Sequence, residues 1–178
     1  TAQQENYKKS GFRLAYRNIR YGGVLSPAAK MSDSDGTIWP ANEVNQAELA
    51  AYDSQLFFAP RPAFLQSWLT QPGGTALAAV RQDALAGYGI IRPCRAGFKI
   101  GPLFADDPAV AERLLSALAA TAGGEQIFLD VPEVNGAARD LAERYGMSPV
   151  FETARMYIGQ APDLDLQKIF GVTTFELG

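Results

Sequence analysis

The sequence predicts an α/β fold in which a mixed, twisted sheet carries helices on both faces. Three observations support this prediction. Residues 75–104 contain three strand-like runs separated by short turns, which is the pattern of an antiparallel meander. The short apolar run "QIFLDV" lies between two helical runs, which indicates a strand–helix–strand unit with a parallel pair. Two helices begin at strong N-cap residues, Asp107 and Asn135.

The first half of this domain is predicted to be a strand followed by two helices. "GTIWP" is a short strand, and the run from about Asn42 to Asp53 is helical with Asn42 as its N-cap. "SQLFFAPR" is a predicted loop, and Pro62 suits the first turn of a second helix. Apolar residues then recur at helical spacing: Phe64, Leu65, Trp68 and Leu69.

The second half predicts the meander and a further strand–helix alternation. "TALAAVRQDALAGYGIIRPCR" divides at Gln82-Asp83 into a hairpin, and "GFKIGPLF" adds a third strand. A helix follows Asp107, with Pro108 at its first position, and another follows Asn135. "PVFETARMYIG" and "FGVTTFEL" are the final strands. The predicted order from Thr37 is therefore β-α-α-β-β-β-α-β-α-β-β.

Composition indicates a soluble, globular, cytoplasmic protein. The 178 residues suit one domain with an extra piece, and 47% apolar with 20% charged residues is ordinary for a globular chain. No apolar run approaches the ~20 residues of a membrane span, and the N-terminus lacks the pattern of a signal peptide. A single cysteine excludes an internal disulfide framework.

The absence of histidine excludes several classes of site. The chain contains none, so Ser-His-Asp and Cys-His catalysis and histidine-based zinc sites are excluded. One cysteine cannot form an all-thiolate site, and we expect no metal. Acid–base chemistry would fall to carboxylates, Tyr, Cys, Lys, backbone groups or water.

The N-terminal segment repeats a pattern found near the C-terminus. "NYKKSGFRLAYRNIRYGG" aligns without gaps with "LAERYGMSPVFETARMYIG", so that Gly11 matches Gly146 and Arg20 matches Arg155. Each predicts the end of a helix, a glycine and a strand. A linker rich in Gly, Pro and Ser is predicted over residues 22–37. Chance similarity between two such corners is the alternative.

Basic residues are concentrated in this N-terminal segment. The first 30 residues hold six Lys or Arg and one acidic residue. We interpret them as a solvated face or as complementing an acidic neighbour, because no nucleic-acid-reading motif accompanies them. Neither a nucleic acid nor a membrane is an expected partner.

The element order and three local motifs resemble the GNAT superfamily of N-acetyltransferases over residues 37–178. The motifs are the meander leading to the helix at Asp107, "IFLDVPEVN" leading to a helix that begins at an Asn, and the Gly146 corner before "MSPVFETARMY". The resemblance implies direct transfer of an acetyl group from acetyl-CoA to the amine of a small molecule or peptide. The alternative is a catalytically silent GNAT-like domain that binds a small ligand or completes a partner domain's pocket.

The opening segment resembles the end of another GNAT unit. Residues 1–36 are then the tail of a preceding GNAT domain plus a linker, and the chain is the back part of a tandem protein; Thr1 in place of Met agrees with a fragment. That preceding domain is the expected partner. The segment is either flexible or docked on the sheet as an added strand, and an unpaired strand would allow a homodimer.

The resemblance places the pyrophosphate of acetyl-CoA at the start of the helix that follows Asp107. The family usually has a glycine-containing turn there, whereas "FADDPAVAERLL" has no Gly, has Asp106 and Asp107 beside the expected anion, and lacks one N–H donor at Pro108. The alternative is that Asp107-Pro108 only caps a helix. The residues expected to contact acetyl-CoA are Leu103, Phe104, Ala105, Ala109, Val110, Ala111 and Asn135.

Residues for catalysis and for the acceptor are assigned by the same resemblance. The tyrosine that the family often places four residues before the corner glycine is Ala142 here. Asp130, in an apolar strand, is the candidate base, with Arg155 as the second catalytic candidate; the alternative is a salt-bridged Asp130 with Arg92 or Arg155 as partner. For two of the acceptor candidates named next, the alternatives are that Cys94 only packs or lines the cleft and that Arg61 is a surface arginine. The residues expected at the acceptor are Asp53, Arg61, Arg92 and Cys94.

Overall fold

The computed structural model describes residues 3–25 and 36–177, and eight strands within these residues form one mixed sheet. The strands are β1 Arg13–Val24, β2 Thr37–Pro40, β3 Thr75–Arg81, β4 Ala84–Cys94, β5 Gly97–Ala105, β6 Gln126–Pro132, β7 Ser148–Tyr157 and β8 Ile169–Gly171. The sheet order is β2-β3-β4-β5-β6-β1-β7, and β8 pairs with β5. Strands β5 and β6 are parallel, as the central strand–helix–strand unit predicted.

The described helices are α1 Gln4–Lys9, α2 Gln46–Leu56, α3 Pro62–Leu69, α4 Pro108–Ala120 and α5 Gly136–Arg144. The predicted order of elements from residue 37 onward is confirmed. Helices α4 and α5 cover one face of the sheet, where Leu114, Leu118 and Leu141 belong to one buried apolar cluster with Leu129 of β6. Helices α2 and α3 cover the other face with a second buried cluster around Tyr88 and Phe104. Burial of these two apolar layers away from water is the main stabilising contribution.

Strand β1 lies inside the sheet. It pairs antiparallel with β6, where Arg20 is opposite Asp130, and antiparallel with β7, where Asn18 is opposite Thr153. The N-terminal segment is thus docked as a strand, and its central position differs from an addition at the edge. The predicted homodimer rested on an unpaired strand; because β1 is paired on both sides, that reason does not hold, and dimerisation stays a prediction.

Residues 22–24 continue β1, so the predicted linker begins too early. Pairing with β6 through Val24 supplies the long-range hydrogen bonds that override the local Gly-Gly sequence. The remainder of the predicted linker lies mostly outside the described residues.

Local capping chemistry accounts for three helix starts. Asp107 and Asn135 are N-caps, as predicted, and Pro108 is the first residue of α4. Helix α2 starts after Asn45 rather than Asn42, because the Asn45 side chain accepts hydrogen bonds from the N–H groups of Ala47 and Glu48. The helix also continues three residues beyond its predicted end, to Leu56, whose side chain is buried.

The last predicted strand is shorter in the structure than in the sequence prediction. Only Phe170 and Gly171 of "FGVTTFEL" belong to a strand, together with the preceding Ile169.

Among the residues that the structure describes, no helix combines the length and the apolar character that crossing a membrane requires.

Candidate functional site

The central cleft is the gap between the carboxyl ends of β5 and β6, and β8 fills it. Parallel pairing of β5 with β6 runs from Phe98–Ile127 to Ile100–Leu129. Further along, β5 pairs antiparallel with β8, where Leu103 is opposite Gly171. On the other side, the N–H of Val172 donates to the carbonyl oxygen of Asp130 at 2.8 Å. The chain from residue 169 to 172 therefore bridges the two strands.

The packing of β8 in the cleft is close. A Cβ atom built on Gly171 would lie 2.7 Å from Cδ1 of Leu129, so only glycine fits this position without a shift. Leu103, Phe104 and Ala105, which were expected to contact acetyl-CoA, are buried, and the first two face β8 in its ladder. Their expected role in binding acetyl-CoA stays a prediction.

Asn135 holds the segment that leads into β8. Its side-chain carbonyl oxygen accepts a hydrogen bond from the N–H of Ala138 at 3.0 Å, which is the predicted cap of α5. Its side-chain amide donates to the carbonyl oxygens of Leu166, Gln167 and Ile169 at 3.0–3.1 Å. The side chain that the resemblance placed at acetyl-CoA thus binds the chain's own backbone.

The N-terminus of α4 is capped by its own acidic residue. One carboxylate oxygen of Asp107 accepts hydrogen bonds from the N–H groups of Ala109 and Val110, both at 3.0 Å. The N–H of Ala111 donates to the backbone carbonyl of Asp107 at 3.1 Å. All three N–H groups that were expected at the pyrophosphate therefore have a partner.

The second carboxylate oxygen of Asp107 accepts a hydrogen bond from Arg81 at 2.6 Å. Burial alone would raise the pKa of Asp107, but the hydrogen bonds from Val110 and Arg81 outweigh burial and hold its pKa below the ordinary value. Asp107 is therefore a carboxylate at neutral pH, and a negative group at a helix N-terminus is stabilised by the helix dipole.

Asp106 is also engaged at this end of the cleft. Its carboxylate accepts hydrogen bonds from Lys168 at 3.0 Å and from the hydroxyl of Tyr52 at 3.2 Å. Burial, followed by the charge of Asp106, raises the pKa of Tyr52 well above its ordinary value, so the phenol keeps its proton. With two carboxylates at the tip of α4 and β8 in the central cleft, the residues present do not fit a bound diphosphate and thioester.

Asp130 lies at the centre of a cluster of charges on the face that carries α2 and α3, here called the Asp130 cluster. Arg20 of β1 donates to both of its carboxylate oxygens, at 2.7 and 2.9 Å, and Lys99 of β5 donates to one of them. Asp130 itself is fully buried. Asp130 is therefore salt-bridged, which was the alternative, but its partners are neither Arg92 nor Arg155.

The partners of Asp130 follow from strand register, which the sequence analysis did not determine. Arg20 lies directly opposite Asp130 across β1 and β6. Lys99 is a charged residue in the apolar run "GFKIGPLF", and that pattern was the available signal of a buried ion pair. Burial lowers the pKa of Lys99 more than Asp130 raises it, whereas the hydrogen bond to Asp130 raises the pKa of Arg20.

A cavity of about 290 Å³ adjoins the Asp130 cluster, and we call it the arginine cavity. The structure brings the predicted acceptor residues Arg92 and Cys94 together there with both cationic partners of Asp130. The lining residues are Arg20, Arg92, Cys94, Arg95, Ala96, Lys99, Phe128 and Glu176.

Asp53 and Arg61, the other two predicted acceptor residues, bind each other inside the protein and form the Asp53 cluster. Arg61 donates to the two carboxylate oxygens of Asp53 at 2.7 and 2.8 Å, and to the hydroxyl oxygen of Thr173 at 3.0 Å. The hydroxyl of Tyr88 donates to the same carboxylate. The Arg61 guanidinium also lies 3.8 Å from the ring centre of Phe57. The predicted contact of Asp53 and Arg61 with the acceptor substrate stays a prediction.

Arg155 lies apart from Asp130. Its guanidinium donates to the hydroxyl of Tyr157 at 2.9 Å and to the carbonyl oxygen of Leu177 at 3.2 Å. It lines a separate cavity of about 290 Å³ near Tyr7 and Phe12. The two predicted catalytic residues therefore have different partners, and their catalytic roles stay predictions.

The comparison with protein families agrees with this architecture. Residues 49–171, more than half of the chain, match the family described as the acetyltransferase (GNAT) domain. The chain belongs to the GNAT acetyltransferase family. GNAT acetyltransferases generally use acetyl-CoA, which contrasts with the occupied cleft of this GNAT domain.

Relatives of this GNAT domain are named as acyltransferases, which supports acyl transfer in general. Holothin acyltransferase of Pseudoalteromonas sp. (strain SANK 73390) is 30% identical over 177 residues, which is 99% of this chain and 59% of that protein. The N-acetyltransferase YitH of Bacillus subtilis (strain 168), described as uncharacterized, is 27% identical over 135 residues, 75% of this chain and 47% of that protein.

A crystal structure described as an acetyltransferase of Pyrococcus horikoshii has the same fold. It superposes with a TM-score of 0.80 at 26% identity and covers 100% of this chain. The match takes up 57% of that protein. This GNAT domain thus spans about half the length of the relatives that it matches.

Proposed function

We propose that the chain is one GNAT unit of an acyltransferase that transfers an acetyl group from acetyl-CoA to the amine of a small molecule or peptide. In this proposal the acyl donor binds at another GNAT unit, of which residues 1–24 are the tail. The chain itself packs against that unit or completes its pocket without holding the donor in its own central cleft.

The observation that carries this proposal is the position of β8. Residues 169–172 bridge β5 and β6, and Asn135 fixes the approach to them with three hydrogen bonds. A thioester in the central cleft would have to displace this segment. The hydrogen bonds between Asp107 and the N-terminal N–H groups of α4 oppose the binding of a diphosphate in the same way.

Two further observations support acyl transfer at a unit beyond this chain. The relatives that match nearly the whole chain are much longer than it, and one of them is named an acyltransferase. The segment from Gln4 to Val24 forms a helix, a left-handed glycine and a strand, which repeats the pattern of α5, Gly146 and β7. That repeat is what a tandem of GNAT units would produce.

A second candidate function is acetyl transfer in this chain's own cleft after β8 moves out. The shortness of β8 favours it, because only two positions of this strand are in register with β5. In this candidate Asp130 remains the proposed base and Arg155 the second catalytic residue. Both candidates place acetyl-CoA and an amine in the reaction, and they differ in which cleft holds the donor.

Hydrogen–deuterium exchange with and without acetyl-CoA, combined with titration calorimetry on the 178-residue chain, separates the two candidates. We expect no saturable binding in the cleft and unchanged exchange at the amides of residues 169–173. Binding of acetyl-CoA that accelerates exchange at these amides contradicts the first proposal and favours the second, because the N–H of Val172 would lose its bond to Asp130.

Asn135→Ser is the matched control. Serine is also a good N-cap, so α5 keeps its start, while the three bonds that the side-chain amide donates are lost. We expect this variant to accelerate exchange at residues 169–173 without acetyl-CoA. Acetyl-CoA could also give binding heat without changing exchange at residues 169–173. If the Arg92→Gln variant loses that heat, the CoA phosphates bind at the arginine cavity, and the first proposal is intact.

A further inference from the structure

The arginine cavity has more positive than negative charge. Four cations line it, and Lys99 is almost buried, with 7% of its side chain exposed. Two carboxylates balance them: Asp130, behind the wall and bonded to Arg20 and Lys99, and Glu176 at the rim. Two positive charges are therefore left over, on half-buried Arg92 and on exposed Arg95, and an anion in this concave space gains more from them than it would on an open surface.

Arg92 supplies an unsatisfied donor to this space. Its buried Nε–H has no hydrogen-bond acceptor among the described residues, which is uncommon for a buried polar atom. The guanidinium is held in place by the ring of Trp68, whose centre lies 5.1 Å away. Within the described part of the chain, neither Arg92 nor Arg95 has an ion-pair partner, in contrast to Arg20 and Lys99.

We propose that the arginine cavity binds the oxyanion group, a carboxylate or a phosphate, of a small molecule. A planar guanidinium donates two parallel hydrogen bonds to such groups, and the positioned Arg92 would donate through its free Nε–H. The volume of about 290 Å³ fits a small molecule rather than a macromolecule, and the ring of Phe128 forms an apolar wall for its carbon skeleton. No residue of β8 lines the cavity, so the proposal does not depend on which cleft binds acetyl-CoA.

Titration calorimetry at low ionic strength tests this proposal with two probes, inorganic phosphate and glutarate. We expect saturable binding of at least one of them, and the tighter probe identifies which oxyanion the cavity prefers. If neither probe binds saturably, the proposal is wrong, because both carry the group that the excess cations would recognise.

Arg92→Gln is the decisive variant, and Arg139→Gln is its matched control. Arg139 is exposed on α5, on the other face of the sheet, so its loss changes the net charge equally without touching the cavity. We expect Arg92→Gln to weaken binding about tenfold or more, because it removes hydrogen bonds to a charged group. Equal weakening by the two variants would mean general charge attraction and would overturn the proposal.

Cys94 gives a second measurement that does not depend on a variant. It is the one cysteine of the chain and it lines the cavity, so alkylation by uncharged iodoacetamide reports on access to this space. Phosphate or glutarate should slow alkylation saturably relative to sodium chloride at equal ionic strength. If Arg92→Gln does not fold, this rate decides: an alkylation rate that neither probe changes contradicts the proposal.

Discussion

Two aspartates in this domain, Asp53 and Asp130, each accept a pair of hydrogen bonds from an arginine, but the two ion pairs have different surroundings. In the Asp53 cluster, one carboxylate faces one guanidinium, and the remaining partners are the hydroxyl groups of Tyr88 and Thr173. In the Asp130 cluster, one carboxylate faces two cations, and further arginines lie beside them.

The burial of the two arginines differs as well. The Arg61 side chain is 8% exposed and is covered by aromatic rings, whereas the Arg20 side chain is 30% exposed and borders a cavity. The same bidentate pair can therefore belong to a closed structural network or to an open site. The balance of charges and the access of solvent decide between them. The buried Nη1 of Arg61 also lacks an acceptor among the described residues, but its charge is matched by Asp53, so the closed network has no excess cation with which to bind a ligand.

The largest effect is expected for Asp53→Asn. It leaves Arg61 buried without its counter-charge, and breaking a buried pair costs about 3–5 kcal/mol. Urea denaturation at neutral pH measures the free energy of unfolding. Asp140→Asn, at an exposed position of α5, is the control and should change this free energy by less than about 0.5 kcal/mol. A loss below about 1 kcal/mol for Asp53→Asn would contradict the closed network.

Asp130→Asn is expected to cost less, about 2–3 kcal/mol, because water and buffer anions can reach Arg20 and Lys99 from the arginine cavity. Added phosphate should then stabilise Asp130→Asn more than the wild type, since an oxyanion replaces part of the missing charge. Asp53→Asn serves as the control, and phosphate should raise its melting temperature no more than that of the wild type. Equal phosphate effects in both variants would remove the distinction between the clusters.

Sequence reasoning was most successful where structure depends on neighbours along the chain. Asp107, Pro108 and Asn135 mark helix starts by local hydrogen bonding, and the Gln82-Asp83 hairpin has the positive φ angles, 52° and 61°, of a tight turn. These local signals were enough to predict the order of the elements. Asn42 shows a missed local signal: the cap was predicted there, although Glu48 stands three residues after Asn45, which is the sequence pattern of a capping box.

Features that depend on distant pairing were not predictable in the same way. The position of β1 rests on contacts between residues more than 100 apart in sequence, such as Arg20 with Asp130. The occupation of the central cleft by β8 likewise depends on how the C-terminal segment returns to β5. For the candidate site, the residue types were identified, but their partners follow from register, and a one-residue slip would place every side chain on the other face.

Tyr88→Phe tests the closed network by hydrogen bonding alone. The variant keeps the ring but loses the bond to the Asp53 carboxylate, and we expect a loss of about 2 kcal/mol at neutral pH. Burial, followed by the charge of Asp53, raises the pKa of Tyr88 well above 10.0. The folded protein therefore keeps this proton where the unfolded chain has lost it, so the contribution is complete below pH 10.0 and declines as the pH rises further.

The measurement is the free energy of unfolding of both proteins from pH 8 to 11. The difference between wild type and Tyr88→Phe should shrink as the pH rises above 10.0, since only the wild type has this linkage. Tyr7→Phe, which removes the hydroxyl of an exposed tyrosine, is the control and should change the free energy of unfolding at pH 8 by less than about 0.5 kcal/mol. A difference for Tyr88→Phe that grows with pH has the wrong sign for a phenol held neutral by burial.

Thr173→Val should have the smallest effect, a loss of about 1 kcal/mol, because Arg61 keeps both bonds to Asp53 and loses only one neutral acceptor. Thr173 is fully buried, so valine preserves the packing, while Thr173→Ser preserves the hydroxyl and removes a methyl group. Thermal unfolding of the two variants separates hydrogen bonding from packing. If Thr173→Val costs as much as Asp53→Asn, then the hydroxyl, rather than the opposite charge, is what holds Arg61 in the interior, and the contrast with the Asp130 cluster would have to be rebuilt on hydrogen bonding instead of charge balance.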